Sequence, residues 1–419
     1  MLRRLSRFLG LAPDDATPIP SGGGGGLALA LSGGGARAAY QAGVLLGLAE
    51  HFGGHRPRIL TGVSAGGLNA SFLANNSDCT YREATDRLAQ TWRSLRAEDV
   101  FDVEGPGVVA SLARFMRGPD EIEPPARGGI LDTTPLHQFV ERHLGPIGQP
   151  IRGIERAVQS GDLHAFALTT TSYTTGQSIT WVQGDGVEPW DRPMRRAVRT
   201  HVRPEHVLAS AALPFFFPAV PIADAHVGDG WYGDGGIRLT APLSPAIHLG
   251  ADKVLVVTTR YARSAREAAE REVEAYPPPG QVLGVLMNAV FLDAIDRDAQ
   301  TLRRINTLVD AAPPEARGGF RSVDLLVLRP SVDIAKMASG VAPKLPRRLE
   351  VLTRRLGADE DKSPDWLSML MFAPEYVERL IEIGRADVEA RLDEIADFFG
   401  APPPEANAEA SGAAPAARR

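Results

Sequence analysis

The sequence contains a single cysteine, Cys79, among its 419 residues. One cysteine excludes an intramolecular disulfide, and it also excludes a zinc site built from several thiolates. Such scarcity fits a reducing compartment, so we expect a cytoplasmic protein without a metal site.

Long hydrophobic runs are missing as well. No window reaches the roughly 18 apolar residues that a membrane-spanning helix needs, so we expect a soluble protein or one with peripheral membrane contact. The start of the chain, MLRRLSRFLGLAP, is basic and amphipathic, but its apolar run is too short and too interrupted for a signal peptide. Two interpretations of it stay open: a disordered terminus, or a helix that lies on a membrane with its leucines and Phe8 toward the lipid.

The chain also lacks an excess of basic charge. It carries 45 Lys and Arg against 51 Asp and Glu, which gives a formal net charge of −6 and a pI near 5.9. Nucleic-acid-binding domains are usually basic, so we expect no nucleic-acid partner. The hydrophobic fraction of 44% and the charged fraction of 23% are typical of an ordinary globular protein.

Residues 27–48, LALALSGGGARAAYQAGVLLGL, predict a strand, a turn of three glycines and a helix. Such turns bind phosphate in some folds and hold a reaction oxyanion in others. A Walker loop needs a lysine after its glycines and a dinucleotide-binding loop needs the spacing G-x-G-x-x-G, and this turn has neither. We therefore expect no nucleotide, and Gly33, Gly34 and Gly35 are candidates for an oxyanion hole. Arg37 either stabilises this turn or the oxyanion region, or it is a solvated arginine at the start of the helix.

A second strand, turn and helix follow in RILTGVSAGGLNASFLA, with Ser64 between Gly62 and Gly66. The pattern G-x-S-x-G is that of a nucleophile elbow, in which the serine stands on a sharp turn and small neighbours avoid collisions. The pattern alone is weakly specific, and a plain turn of small residues is the alternative. The flanking strand and helix favour a nucleophilic serine, which needs a base within hydrogen-bond reach.

The base is harder to identify from the residues alone. The chain has nine histidines, and those in helical patterns, such as His206, are more typical of surface or structural positions. Asp234 lies in a turn with Gly235 and Gly236, directly after a short β-like run, where its carboxylate projects with little steric cover. The choice between a histidine and this aspartate stays open at this level.

Four stretches occur in the order and type seen in one family: LSGGGARAAYQAGVLLGL, GVSAGG, ASAALPFFFPAV and YGDGG. On these motifs the chain closely resembles the patatin-like phospholipases over about residues 27–253. The resemblance implies a three-layer α/β/α fold with a mainly parallel sheet, and hydrolysis of carboxylic esters in phospholipids or other lipids. It implies a dyad of Ser64 as nucleophile and Asp234 as general base, with the oxyanion held by the three glycines. No metal and no organic cofactor follow from this scheme.

We predict four parts along the chain. Residues 1–26 are a flexible segment that ends in a glycine run, and residues 27–260 are the patatin-like catalytic domain. Residues 261–400 are mainly helical, with long amphipathic patterns at 281–310 and 374–400 and a further strand at 323–330. Residues 401–419 are a disordered tail.

Two alternatives to this interpretation stay open. A Ser-His-Asp esterase of the α/β-hydrolase type would need a histidine after the acid, and only His248 follows Asp234. A catalytically idle member would use the fold as a regulatory or scaffold protein. The aromatic run of Phe215, Phe216 and Phe217 is either part of an acyl pocket or part of the core.

Overall fold

The computed structural model describes residues 26–102, 129–270, 276–277, 279–291, 293–340 and 365–402. Residues 1–25, which hold most of the segment predicted to be flexible and its candidate membrane-surface helix, lie outside these ranges, and so does the predicted tail from residue 403 onward. All nine histidines lie within them.

One sheet of ten strands runs through the described part of the chain. Its strands are β1 Leu27–Leu31, β2 Ile59–Val63, β3 Ala165–Ser172, β4 Ser178–Gly184, β5 Asp191–Arg192, β6 Arg195–Arg199, β7 Val220–Ile222, β8 Gly230–Asp234, β9 Lys253–Val257 and β10 Asp324–Leu328. The main order is β10-β9-β1-β2-β3-β4-β6-β5, with β8 paired to β3 and β7 paired to β8. Strands β10, β9, β1, β2 and β3 are parallel neighbours, whereas β3 and β4 form an antiparallel hairpin.

The connections between strands carry the helices, as parallel pairing requires. The described helices are α1 Ala39–Phe52, α2 Ala65–Asn75, α3 Tyr81–Ser94, α4 Thr134–Leu144, α5 Arg152–Ser160, α6 Pro204–Ser210, α7 Ser244–His248, α8 Ala265–Ala268, α9 Pro279–Phe291, α10 Ala294–Ala311, α11 Ile334–Gly340, α12 Pro374–Glu389 and α13 Leu392–Phe399. Each of the two long helical patterns seen in the sequence is therefore a pair of helices.

Both faces of the sheet are covered, because successive side chains of a strand point to opposite sides. In β1, Leu29 and Leu31 belong to a large core cluster that includes residues of α1 and α2. Ala28 and Ala30 belong to a second cluster that includes residues of α7 and α10. The sheet thus lies between two helical layers, and the predicted α/β/α fold with a mainly parallel sheet is confirmed.

The C-terminal region packs directly on the first helix of the fold. Helices α1 and α12 cross so closely that a side chain at Gly43 would collide with the backbone of Ile381, and one at Gly384 with the backbone of Tyr40. Tyr40 also donates a hydrogen bond to Asp387 at 3.0 Å. A 3-10 helix, residues Asp365–Leu370, precedes α12 and lies against the glycine turn.

Candidate active site

The pairing of strands brings the two sequence motifs together. Strand β2 pairs with β3 up to Val63 and Thr169, and β8 pairs with the next residue of β3, Thr170, through Asp234. The other edge of β3 is occupied by β4 throughout. Strands β2 and β8 therefore meet end to end on the same edge of β3, which places Ser64, the residue after Val63, beside Asp234.

Ser64 stands on a strained turn between β2 and α2. Its φ of 56° lies in the left-handed region that residues with a Cβ rarely adopt. The flanking glycines permit this turn, because a side chain at Gly62 would collide with the backbone of Gly66, and one at Gly66 with the carbonyls of Leu31 and Ser32. The geometry is that of a nucleophile elbow, with the hydroxyl presented at the N-terminus of α2.

Asp234 is fully buried, and its carboxylate is incompletely paired. Its Oδ1 accepts a hydrogen bond from the Gly236 N–H at 2.8 Å, while its Oδ2 makes no hydrogen bond of standard geometry within the described residues. Burial raises the pKa of Asp234 to about 7, although the neighbouring Ser64 side chain and the Gly236 amide act to lower it. A carboxyl group with that pKa can both accept and return a proton near neutral pH.

The backbone on both sides of Asp234 is held in place. Its N–H donates to the Ala212 carbonyl at 3.0 Å, and its carbonyl accepts from the Thr171 hydroxyl at 2.8 Å. A side chain at Gly235 would collide with the Thr169 carbonyl, so the turn needs glycine there. These contacts fix the carboxylate relative to the end of β3.

The three glycines of the first turn have different surroundings. Gly33 faces Ser64, since a Cβ at this position would lie 3.0 Å from the Ser64 Cβ. Gly34, with φ of 148°, faces Thr259, and Gly35, with φ of 56°, packs against the backbone of Met369. Gly33 is thus the member of the turn that borders Ser64 most directly, whereas the other two shape the turn around it.

Arg37 is not a solvated helix-start arginine. Its side chain is buried, and its Nε donates to the Ser368 hydroxyl at 2.6 Å. Ser368 belongs to the 3-10 helix that packs on Gly35. Arg37 therefore ties the glycine turn to the C-terminal region.

Ser64 opens into a largely apolar cavity. The walls come from α2, α3 and α4 and from the 3-10 helix with the residues after it, among them Leu68, Phe72, Leu88, Trp92, Val140 and Phe372. Gly34 and Gly35 also border it. Such a lining suits a hydrocarbon chain.

A family model described as patatin-like phospholipase matches residues 29–247, more than half of the chain. The chain belongs to the patatin-like phospholipase family. This membership supports a lipid hydrolase. No curated protein sequence matches the chain.

Solved structures that resemble this patatin-like phospholipase have low identity to it. Human GIVD cytosolic phospholipase A2 is 12% identical, with 95% of this chain and 62% of that chain covered and a TM-score of 0.44. VipD from Legionella pneumophila is 14% identical, with 83% and 67% covered and a TM-score of 0.31. ExoU of Pseudomonas aeruginosa, in its complex with SpcU, is 16% identical, with 90% and 77% covered and a TM-score of 0.26.

One residue beside Ser64 left no signal in the sequence that identified it. The Ser210 hydroxyl, at the end of α6, accepts from the Ser64 N–H at 3.0 Å and donates to the Thr169 carbonyl at 2.7 Å. It thereby links the strained elbow to β3. This serine lies in the stretch ASAALP. A small polar residue at the end of a short helix was the pattern that could have indicated it.

We expect Ser210→Ala to lower kcat for ester hydrolysis by about ten- to a hundredfold and to leave KM nearly unchanged. The change leaves the Ser64 N–H without its acceptor, so the elbow loses the contact that orients it. Ser71→Ala is a matched control, because Ser71 is equally buried but bonds only to the Gly67 carbonyl of its own helix. Equal kcat values for the two variants would assign Ser210 a purely structural role.

Two of the three phenylalanines take the two expected roles, and the third takes neither. Phe217 lines the cavity that contains Ser64. Phe216 is buried in the core, and Phe215 is exposed with φ of 70°. The positive φ turns the chain sharply here, so neighbouring rings point in different directions.

None of the nine histidines hydrogen-bonds to Ser64 or Asp234. The His248 Nδ1 lies 2.8 Å from the Ser244 carbonyl, and its ring packs on Trp190 in the second core cluster. His143 lines the cavity but packs on Phe139, and burial lowers its pKa. The buried His206 has its pKa lowered to about 3 by burial. The geometry offers no Ser-His-Asp triad.

Among the described residues, one group has the spacing of a metal site: Glu50, His51 and Glu389. It lies at the C-terminal ends of α1 and α12, and Glu50 already pairs with Arg82 and Arg385. These pairs neutralise the charge that would attract a cation. No described helix has the length and apolar character needed to cross a membrane.

Proposed function

We propose that this protein hydrolyses carboxylic ester bonds of phospholipids or other lipids through a Ser64/Asp234 dyad and an acyl-enzyme. The observation that carries the proposal is the contact between the strained elbow serine and a buried carboxylate whose pKa is raised to about 7. The apolar cavity at Ser64 supports a lipid acyl chain as the group transferred.

In the first half of the reaction, Ser64 Oγ attacks the ester carbonyl carbon while Asp234 accepts its proton. Backbone N–H groups of the glycine turn stabilise the oxyanion that forms, Gly33 being nearest to the serine. The C–O bond to the alcohol then breaks, and the proton on Asp234 passes to the departing oxygen. The acyl group remains on Ser64.

In the second half, water attacks the acyl-enzyme and Asp234 takes a proton from it. Collapse of the second tetrahedral intermediate releases the fatty acid and returns a proton to Ser64. The Ser64–Asp234 contact is looser than a standard hydrogen bond in this structure, and such contacts commonly tighten when substrate displaces water. The scheme uses no metal and no organic cofactor.

A fluorophosphonate probe tests this proposal, because it phosphonylates only an activated serine. We expect labelling of the folded protein at Ser64 and no labelling of Ser64→Ala or of heat-denatured protein. The labelling rate should fall about tenfold per pH unit below pH 7, because protonated Asp234 cannot accept the serine proton. A folded protein that resists the probe at every pH would favour the idle scaffold.

A further inference from the structure

Helix α9, Pro279–Phe291, contains no charged residue. The charge-free stretch is longer than the helix and covers residues 275–292. A charged or strongly polar face is what usually keeps a surface helix in water. The polar side chains of helix α9 are Gln281 and Asn288, seven residues apart, so charge fits none of its sides to solvent.

The helix is apolar on two opposite sides. Met287 and Phe291, four residues apart, are buried against the protein. Val282, Val285 and Leu286 share the opposite side at helical spacing, and they are 48%, 59% and 56% exposed. We call these three residues the outer face of α9. Exposed apolar side chains grouped in this way mark an interaction surface.

The inner side of the same helix borders the active site. Phe291 lines the cavity that opens at Ser64, and it also lines a smaller cavity next to Gly33. Its ring packs so closely on Gly236 that a side chain there would collide with it. The outer face is thus separated from the site by about one helix diameter, on the order of 10 Å.

The length of the helix decides how it can meet a membrane. Thirteen residues span about 20 Å, which is too short for the roughly 30 Å hydrocarbon core of a bilayer. An apolar helix of this length can lie at the lipid surface instead. Because its outer face has no charge, binding through this face would draw on the burial of apolar side chains and not on attraction to anionic head groups.

We propose that the outer face of α9 is a lipid-docking surface that seats the active-site cavity on a phospholipid bilayer. The choice of a lipid partner rests on the proposed function, since the same helix borders the cavity that would receive a lipid acyl chain. Docking there shortens the path of a substrate from the bilayer to Ser64. A second copy of the chain is the competing occupant of the surface.

The test uses the full chain with Val285→Asp and Leu286→Asp combined, and vesicles of pure phosphatidylcholine. Leu308→Asp is the matched control, because Leu308 is an apolar residue on α10 that is 70% exposed. Binding is measured by co-sedimentation in the Ser64→Ala background, so that hydrolysis does not alter the vesicles. Circular dichroism checks the fold, and Val285→Thr with Leu286→Gln is a milder pair should the aspartates disturb it.

We expect the double aspartate variant to bind vesicles at least about tenfold more weakly, since two exposed apolar side chains that would enter the lipid are replaced by charges that must stay hydrated. The Leu308→Asp control should bind as the parent does. With Ser64 intact, hydrolysis of vesicles should fall by a similar factor while hydrolysis of a soluble short-chain ester stays unchanged.

The docking surface would be overturned if the Ser64→Ala parent, the double variant and the control bound vesicles equally. It would also be overturned if the parent did not bind vesicles. A dimeric parent that the double variant converts to a monomer, with vesicle binding unchanged, would assign the face to self-association instead. A protein that binds vesicles through this face but hydrolyses no ester would refute the proposed function and leave the docking surface standing.

Discussion

Ser64→Ala and Asp234→Asn should each lower ester hydrolysis by about a thousandfold or more, and the double variant should be scarcely worse than either one. Alanine removes the attacking oxygen, and asparagine removes the charge that accepts its proton while keeping nearly the same shape. Groups that act as one unit lose their effect together, so the two losses should not multiply. Steady-state rates on a soluble ester measure this.

Single histidine-to-alanine variants provide the contrast. In a Ser-His-Asp enzyme the histidine carries the proton, and its loss would match that of the serine. Here we expect His143→Ala and His248→Ala to retain most of the activity, because neither ring hydrogen-bonds to the serine or the aspartate. A folded histidine variant as inactive as Ser64→Ala would replace the dyad with a triad.

Asp234→Asn should also make the folded protein more stable at pH 8, by about 4 kcal/mol. Burial raises the pKa of Asp234 from its ordinary 3.8 to about 7, so ionising this carboxyl costs free energy in the folded state that it does not cost in the unfolded chain. Each pKa unit corresponds to about 1.4 kcal/mol. Asparagine stays neutral and avoids that cost.

The sign of the pH dependence follows from proton binding. Between about pH 4 and pH 7 the folded protein holds the proton that the unfolded chain has released, so this group makes the protein less stable as the pH rises. The advantage of asparagine should therefore be small at pH 4, grow up to about pH 7 and stay level above it.

Denaturant unfolding of the two proteins across this pH range measures the difference. Asp185→Asn is a control at an exposed position after β4, and it should track the unmodified protein at every pH. A constant difference between Asp234→Asn and the unmodified protein would mean that the aspartate is not a neutralised buried acid. Gain of stability together with loss of activity is the expected mark of a residue kept for function.

The candidate site residues that the sequence indicated are those that depend on local backbone geometry. Ser64 needs small neighbours at a strand-to-helix turn, and Asp234 needs a turn with little side-chain cover, so both leave a readable pattern of glycines. The sheet and its two helical layers were predictable for a similar reason, since strands and helices alternate along the chain.

Features that depend on distant contacts were not predictable. Arg37 and Ser368 are 331 residues apart, and no local pattern records that they meet. The acidity of Asp234 depends on what covers it, and the hydroxyl that holds the Ser64 amide comes from α6. The helical pattern at 374–400 is continuous, but Arg391 leaves the helical conformation and donates to the Val327 carbonyl of β10.

The close crossing of α1 and α12 has a consequence for protein synthesis. Residues 27–75 are made before residues 365–389, yet the glycine turn among them completes its packing only against this later segment. A nascent chain that has already formed β1, β2 and α2 still lacks the Met369 backbone on which Gly35 packs and the Ser368 hydroxyl to which Arg37 donates. Because proteins are made from the N-terminus onward, the turn beside Ser64 should reach its final packing only after residue 389 has left the ribosome.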